Sequence, residues 1–278
     1  MRARKMDLAI NIATIASILW ILFPFYTILK MAFSTVEDIY KLSLFPTHFT
    51  IEPFTAIIMG SFYLTRNFWL QTWNSLVIAL GTIILVISIS LLGGYALGKI
   101  DFPLKNSFAT LAMITYLFPQ AFIALPIFNV VREWGLANSY IGVILVQSAF
   151  SSPFCIFLVT DYANSIPKEI EESAQVDGAS RLQLFTKIFL PLSIPIVITL
   201  TIYTFLASWD SYLIPLLLLQ REKLYTLPLG IGFFFTIDEI EWNIFMAFGL
   251  LYSIPPLIFY TLFKRFIIGG LMKGALKF

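Results

Sequence analysis

The stretch Gly93–Ile100, GGYALGKI, carries residue types that could hold a phosphate. Gly93, Gly98 and Lys99 match the start of G-x-x-x-x-G-K-[ST], in which glycine amides cradle phosphates and the lysine neutralises them. The last position calls for a hydroxyl to hold Mg²⁺, and Ile100 has none. Such a loop must also follow a strand and open a helix, so that the anion meets a helix N-terminus. Two other groups invite chemistry. Glu171 and Glu172 are paired carboxylates, and Asp210 interrupts an apolar run beside Trp209 and Tyr212, an acceptor next to aromatic planes that would suit a sugar. A single cysteine, Cys155, and a single histidine, His48, exclude an intrachain disulfide, a cysteine cluster and a multi-histidine metal site.

These residues are set in an apolar chain. Of 278 residues, 59% are hydrophobic and 12% charged, and the mean hydropathy is +0.86. Soluble domains carry about 25% charged residues, so the solvent here is lipid. A net charge of +2 argues against nucleic acid as a partner. A membrane-spanning helix needs roughly 20 mainly apolar residues. Segments 8–30, 70–97, 107–129, 139–162, 189–219 and 243–263 qualify, which predicts an all-α, polytopic fold of six spans. The fifth is overlong and holds Pro191, Pro195 and Asp210, so it is expected to bend or to begin as an interfacial helix. The first follows Arg2, Arg4 and Lys5 but is too long for a secretory core and lacks a small-x-small site, so it reads as an uncleaved anchor. The chain is expected to be one transmembrane unit over 1–278, with the first helix and an external loop in 1–69 and the core in 70–278.

Orientation follows from lysine and arginine between the spans. One side collects Arg2, Arg4, Lys5, Lys99, Lys105, Lys168, Arg181, Lys187, Lys264, Arg265, Lys273 and Lys277, twelve of the eighteen basic residues. Both termini are therefore expected in the cytoplasm, in a multi-pass protein of the inner or plasma membrane. Gly93–Ile100 becomes the cytoplasmic end of the second span, where its amides are used within the helix and Lys99 agrees in sign with the helix C-terminus. The same letters contain Gly94-x-x-x-Gly98, a spacing that lets helices approach closely in lipid. The chain is not its own ATPase, and no catalytic, cofactor or metal residue is expected in it.

A polar island, 164–195, separates spans four and five and holds four of the sixteen acids: Glu169, Glu171, Glu172 and Asp177. Ser165 followed by Ile166-Pro167 reads as an N-cap with proline in the first turn, and Gly178 as a left-handed stop. Ser180 or Asp177 would cap a second helix. Ile166, Ile170 and Ala174 recur every four residues, an apolar face that could enter a partner's groove, or merely the buried side of a short amphipathic loop helix.

These residues resemble the signature of membrane subunits of binding-protein-dependent ABC importers, E-A-A-x-x-x-G-x(9)-I-x-L-P. It stands here as Glu172-Ser173-Ala174, Gly178, Ile188, Leu190 and Pro191, with Ser173 in place of the first alanine. From about Asn74 onward the chain is similar to the carbohydrate-uptake, MalG-like branch, including the tail RFIIGGLMKGALKF. The resemblance implies the type I ABC importer permease fold and a half-pore completed by a second, homologous permease subunit. It also implies two ATPase subunits, which hold ATP and Mg²⁺, and an extracytoplasmic solute-binding protein. It places docking to the ATPase on Glu171, Glu172, Ser173, Ala174, Asp177, Gly178 and Ala179 in loop 164–188, and a tail contact on Gly270, Gly274 and Lys277.

For the substrate path, Asp210, Trp209 and Tyr212 are candidates because ionisable residues within a span are functional by default. The alternative is a pairing inside the bundle, or hydration at the outer interface with Trp209 as a belt residue. Gln120 and Asn129 in span three, and Gln147 in span four, could line the pore or simply bond between helices. The loop 31–69 suits a binding protein or an interfacial helix, with His48 solvated or packed there. Rival readings are an ABC permease for a peptide, amino acid or anion, and an ion-coupled secondary transporter. The latter would want charged relays in two related halves, for which Asp210 alone is thin support. An integral-membrane enzyme lacks a histidine or cysteine cluster.

Overall fold

A computed structural model describes residues 2–41 and 44–275, with the backbone alone for 2–6, 8–9 and 265–275. The apolar runs are helical because, in lipid, every backbone N–H and C=O must be satisfied within its own segment. In chain order the helices are α1 (Arg2–Ala32), α2 (Val36–Ile39), α3 (Glu52–Met59) and α4 (Phe68–Lys99). Then come α5 (Lys105–Leu117), α6 (Gln120–Glu133), α7 (Tyr140–Ser165), α8 (Lys168–Val176) and α9 (Arg181–Gln183). The last are α10 (Leu190–Leu192), α11 (Ile194–Trp209), α12 (Leu213–Leu218), α13 (Leu227–Gly232) and α14 (Trp242–Ala275). Among the described residues, four helices are long and apolar enough to cross a membrane, or six if each of two bent pairs is one span.

Two spans are bent: the third against its expectation as one run, the fifth as Pro191 and Pro195 led one to expect. The third, 107–129, is not one straight rod: α5 and α6 meet at 102°. Phe118 is extended (φ −74°, ψ 124°) because Pro119 follows it and excludes helical geometry. In the fifth, the segment Arg181–Leu192 meets α11 at 69°. Its approach includes a π-helical turn, Leu184–Phe189, in which the Leu190 amide reaches back to Phe185 C=O, just ahead of Pro191, which has no amide to offer. This span also ends early. α11 stops at Trp209, Asp210 caps it through its own amide to Leu206 C=O at 3.0 Å, and α12 is a separate short helix.

The chain divides into two compact units, Met1–Trp69 with Gly230–Ile254, and Leu70–Leu229 with Pro255–Phe278. In the first, Phe62 and Phe68 pack on Phe234 and Phe248 at centroid distances of 5.9 and 5.4 Å. α1 is apolar all round and leaves Leu19, Trp20, Ile21 and Phe23 exposed, the surface of a helix whose solvent is lipid or another membrane helix. The loop after α1 is organised by Asp38, whose side chain is fully buried. Its carboxylate accepts from the Thr47 hydroxyl, from the His48 amide at 2.6 Å and from Lys41 Nζ at 3.0 Å.

Those bonds, led by the Thr47 hydroxyl, hold the Asp38 carboxyl well below the usual carboxylate range, against the opposing effect of burial. A lowered folded pKa stabilises the ionised loop above the unfolded value, about 3.9, and that stability is lost as pH falls through the folded value. Asp38→Asn should therefore speed amide exchange over 36–50 several-fold at neutral pH. The difference from the parent should shrink as pH drops below about 4. Equal exchange at neutral pH would remove Asp38 as the organiser.

In the second unit α4, α7 and α11 share a core containing Val86, Tyr95, Val159, Ala163, Phe189 and Leu200. α5 and α11 pack on α7, and α12 on α6 and α7. Gly94 and Gly98 lie where α4 meets α7: a Cβ on Gly94 would sit 2.4 Å from Val159 Cβ, and one on Gly98 2.6 Å from Ala163 Cβ. The small-residue spacing thus serves close helix packing.

Candidate functional site

The polar island forms two short helices with a sharp turn between them. Ser165 does not cap the first, as the sequence suggested. It is the last residue of α7, and its hydroxyl donates to Tyr162 C=O at 2.7 Å, while Pro167 stands at the start of α8. The i−3 carbonyl was simply within reach of that hydroxyl before the chain turned. At the far end of α8, the Gly178 amide bonds Gln175 C=O (3.0 Å) and the Ala179 amide bonds Ala174 C=O (2.9 Å). With φ +84° at Gly178, this is a Schellman stop. Ser180 then caps α9 in a reciprocal capping box with Gln183.

Much of this loop is uncovered. Glu172, Ser173, Asp177 and Gly178 are exposed, and Glu171, Ala174 and Ala179 half-buried. Val176 is 88% exposed and Leu182 71%, apolar side chains left in the open between acids. The loop is nevertheless tied down. Lys99 Nζ donates to Ile166 C=O at 2.8 Å and lies 3.6 Å from Glu171 Oε1. Tyr95, one turn earlier on α4, packs against Phe185 (5.2 Å) and Phe189 (4.8 Å). The lysine that resembled a phosphate ligand is a buried clasp on the loop.

The substrate-path candidates separate. Asp210 and Tyr212 are exposed at the end of α11, but Trp209 is fully buried and stacked on Phe205 at 5.6 Å. Its ring therefore offers no free plane beside Asp210, which corrects the expected aromatic-plus-acceptor arrangement. Burial followed from the inward face of α11, which no short window of sequence could specify. Gln120 and Asn129 are both exposed on α6. They are nine residues apart, about two and a half helical turns, so they face opposite sides of the helix. Gln147 is buried, and its Oε1 accepts from Thr82 (3.2 Å) and Ser208 (2.6 Å), joining spans two, four and five.

Residues 90–271 match the family described as Binding-protein-dependent transport system inner membrane component. The chain belongs to this family. It is 30% identical over 274 residues, 97% of this chain and 95% of the relative, to the arabinooligosaccharides transport system permease protein AraQ of Halalkalibacterium halodurans. It is 29% identical over 257 residues, 92% and 91% of the two chains, to the trehalose/maltose transport system permease protein MalG of Thermococcus litoralis. Its fold is similar to a chain in the crystal structure of a bacterial ABC transporter involved in import of the acidic polysaccharide alginate. There the TM-score is 0.78 at 22% identity, covering 95% of this chain and 98% of that one.

This permease is thus a multi-pass membrane protein and a transport component rather than an enzyme. The matched residues include the whole of loop 164–188 and reach into α14. Gly270 and Gly274 lie on the backbone of α14, and Lys277 lies outside the described residues. Two structural ties escaped sequence reasoning. Besides Lys99, buried Asn74 donates to Lys223 C=O and Tyr225 C=O, both at 2.9 Å, and accepts from the Tyr140 hydroxyl at 2.6 Å. Its signal was the polar pair Asn74-Ser75 at the mouth of an apolar span; Ser75 Oγ in turn accepts from the Leu227 amide at 2.8 Å.

Proposed function

We propose that the permease forms half of the translocation path for a sugar or oligosaccharide, in an importer whose ATPase subunits dock on α8 and α9. The observation that carries the docking is the loop itself: a capped, clasped pair of helices that leaves Glu172, Val176, Asp177 and Leu182 exposed among the described residues. A rigid, uncovered patch of mixed apolar and acidic side chains is suited to a partner's cleft. The saccharide follows from the arabinooligosaccharide and trehalose/maltose permeases that the chain resembles over more than nine-tenths of its length, with Asp210 and Tyr212 as contacts. A second, homologous permease and lipid would cover α1 and the outer faces of α5 and α6. ATP and Mg²⁺ belong to the ATPase subunits, and the binding protein delivers solute to the outer face. Both termini and the docking loop face the cytoplasm.

Reversing a two-state pore from 1:99 to 99:1 takes about 5.5 kcal/mol of differential binding, which closure of two ATPases on nucleotide would supply through a stiff loop. The test is purification of the tagged chain in mild detergent, then reconstitution with a binding protein outside and ATP with Mg²⁺ inside. Trehalose, maltose and arabinooligosaccharides serve as probes. ATPase subunits should co-purify, and uptake of a probe should require ATP. In intact cells an impermeant thiol reagent should label Tyr40→Cys but not Ser180→Cys, in a Cys155→Ala background. A chain that purifies alone, uptake that follows an ion gradient without ATP, or equal labelling at both positions would overturn the reading.

A further inference from the structure

The clasp at Lys99 joins more than two residues. Its ammonium donates at 2.8 Å to the C=O of Ile166, the C-cap that follows α7, and lies 3.6 Å from the carboxylate of Glu171 in the first turn of α8. The lysine side chain is 5% exposed and the glutamate 13%. One charge on the end of α4 thus sits between the negative C-terminus of α7 and an acid of α8. Four residues before it, Tyr95 holds Phe185 and Phe189, on the far side of the docking turn. Residues four apart share a helix face, so one face of α4 grips both arms of the loop.

We infer that Lys99 is a positioning residue that makes the docking helix α8 and the second span move as one body. Were α8 displaced without α4, a buried ammonium would be left without its partners, which a low-dielectric site penalises strongly. With the clasp intact, displacement of α8 carries α4 along with α7. Without it, α8 keeps the backbone at Ile166-Pro167 and its packing on the turn Leu184–Phe189, but loses this charged tie to the end of α4, and α4 is free to lag. The inference rests on the reading that α8 and α9 dock an ATPase.

The test uses the complex with its ATPase subunits, in a Cys155→Ala background, with nitroxide labels at Leu92→Cys on α4 and Lys168→Cys on α8. With Lys99 present, the distance between labels should be narrow and unchanged by ATP and Mg²⁺. Lys99→Met should keep its ATPase subunits and basal hydrolysis, yet show a distance that shifts or broadens when nucleotide is added. Lys99→Arg, which keeps charge and donors, should behave as the parent. An unchanged distance in Lys99→Met overturns the inference, as does failure of the arginine to restore it. Loss of the ATPase subunits from Lys99→Met would also overturn it, because Lys99 would then belong to the docking surface. If the parent chain itself retains no ATPase, it is the docking reading that fails, whatever the labels report.

Discussion

Gly178→Val and Glu172→Lys should each leave the permease inserted in the membrane but strip it of ATPase subunits, lowering ATP-dependent uptake by tenfold or more, about what 1.4 kcal/mol of lost docking energy produces. Gly178 holds the left-handed position of a Schellman stop at φ +84°. A non-glycine residue in that conformation costs roughly 1–2 kcal/mol, and a β-branched one is a genuine outlier there. Its chain neighbours apart, no atom of the described residues lies within 4 Å of where its Cβ would go. The expected damage is therefore backbone strain that unwinds the turn, together with new bulk on the docking surface, rather than a clash inside the chain. Glu172 is exposed and belongs to no ion pair among the described residues, so its reversal should not disturb the fold. Charge reversal at an interface acts directly on partner choice, since like charges brought together cost several kcal/mol. Both residues lie outside the spans, which is why insertion should survive. Co-purification and hydrolysis in reconstituted vesicles read the result. Normal ATPase retention in both variants would sink the docking assignment.

Gly94→Leu should instead reduce the amount of folded chain several-fold, before any partner is involved. A Cβ at Gly94 would fall 2.4 Å from Val159 Cβ and Cγ1 and 3.1 Å from the Thr160 amide nitrogen. The first neighbour is a β-branched side chain with one favoured helical rotamer, and the last is backbone, so neither can turn away. Overpacking of this kind costs typically 1–3 kcal/mol, and leucine adds further atoms beyond the Cβ. Separating α4 from α7 would also pull Lys99 away from Ile166. Gly249 on α14 is the control, since a Cβ there would meet nothing within 4 Å among the described residues beyond its own helix backbone. Size-exclusion profiles of fluorescently tagged variants should show Gly94→Leu aggregated and Gly249→Leu close to the parent. Equal profiles would mean that α4 and α7 do not pack through Gly94.

Much of this could be read from the chain because the governing physics is local. Twenty apolar residues have one stable state in lipid, so the long helices fall where hydropathy puts them. The turn between α8 and α9 was legible for the same reason: Gly178 as the stop and Ser180 or Asp177 as the cap act within a few residues of one another, and the structure chose Ser180, with Gln183. The signature spacing from Glu172 to Pro191 named the family before any coordinates. Where local signals competed, the reading went astray. Ser165 had two ways to spend its hydroxyl, on the next helix or on the turn behind it, and α7 took it.

What only the tertiary structure decided involves partners far apart in sequence. Lys99 meets Glu171, and Asn74 meets Tyr225, because bundle packing brings the ends of separate spans together, and nothing near either residue announces its partner. Hydropathy averaged over a span cannot see the break at Phe118-Pro119 or the end of α11 at Trp209, since apolar residues continue on both sides. Nor can it tell which side of α11 faces inward, so Trp209 looked available when its ring is closed off against Phe205. Composition settles that a residue lies among helices in lipid; only the packing of those helices settles which neighbour it touches, because helix–helix contact in lipid depends on shape and hydrogen bonds rather than on hydrophobicity.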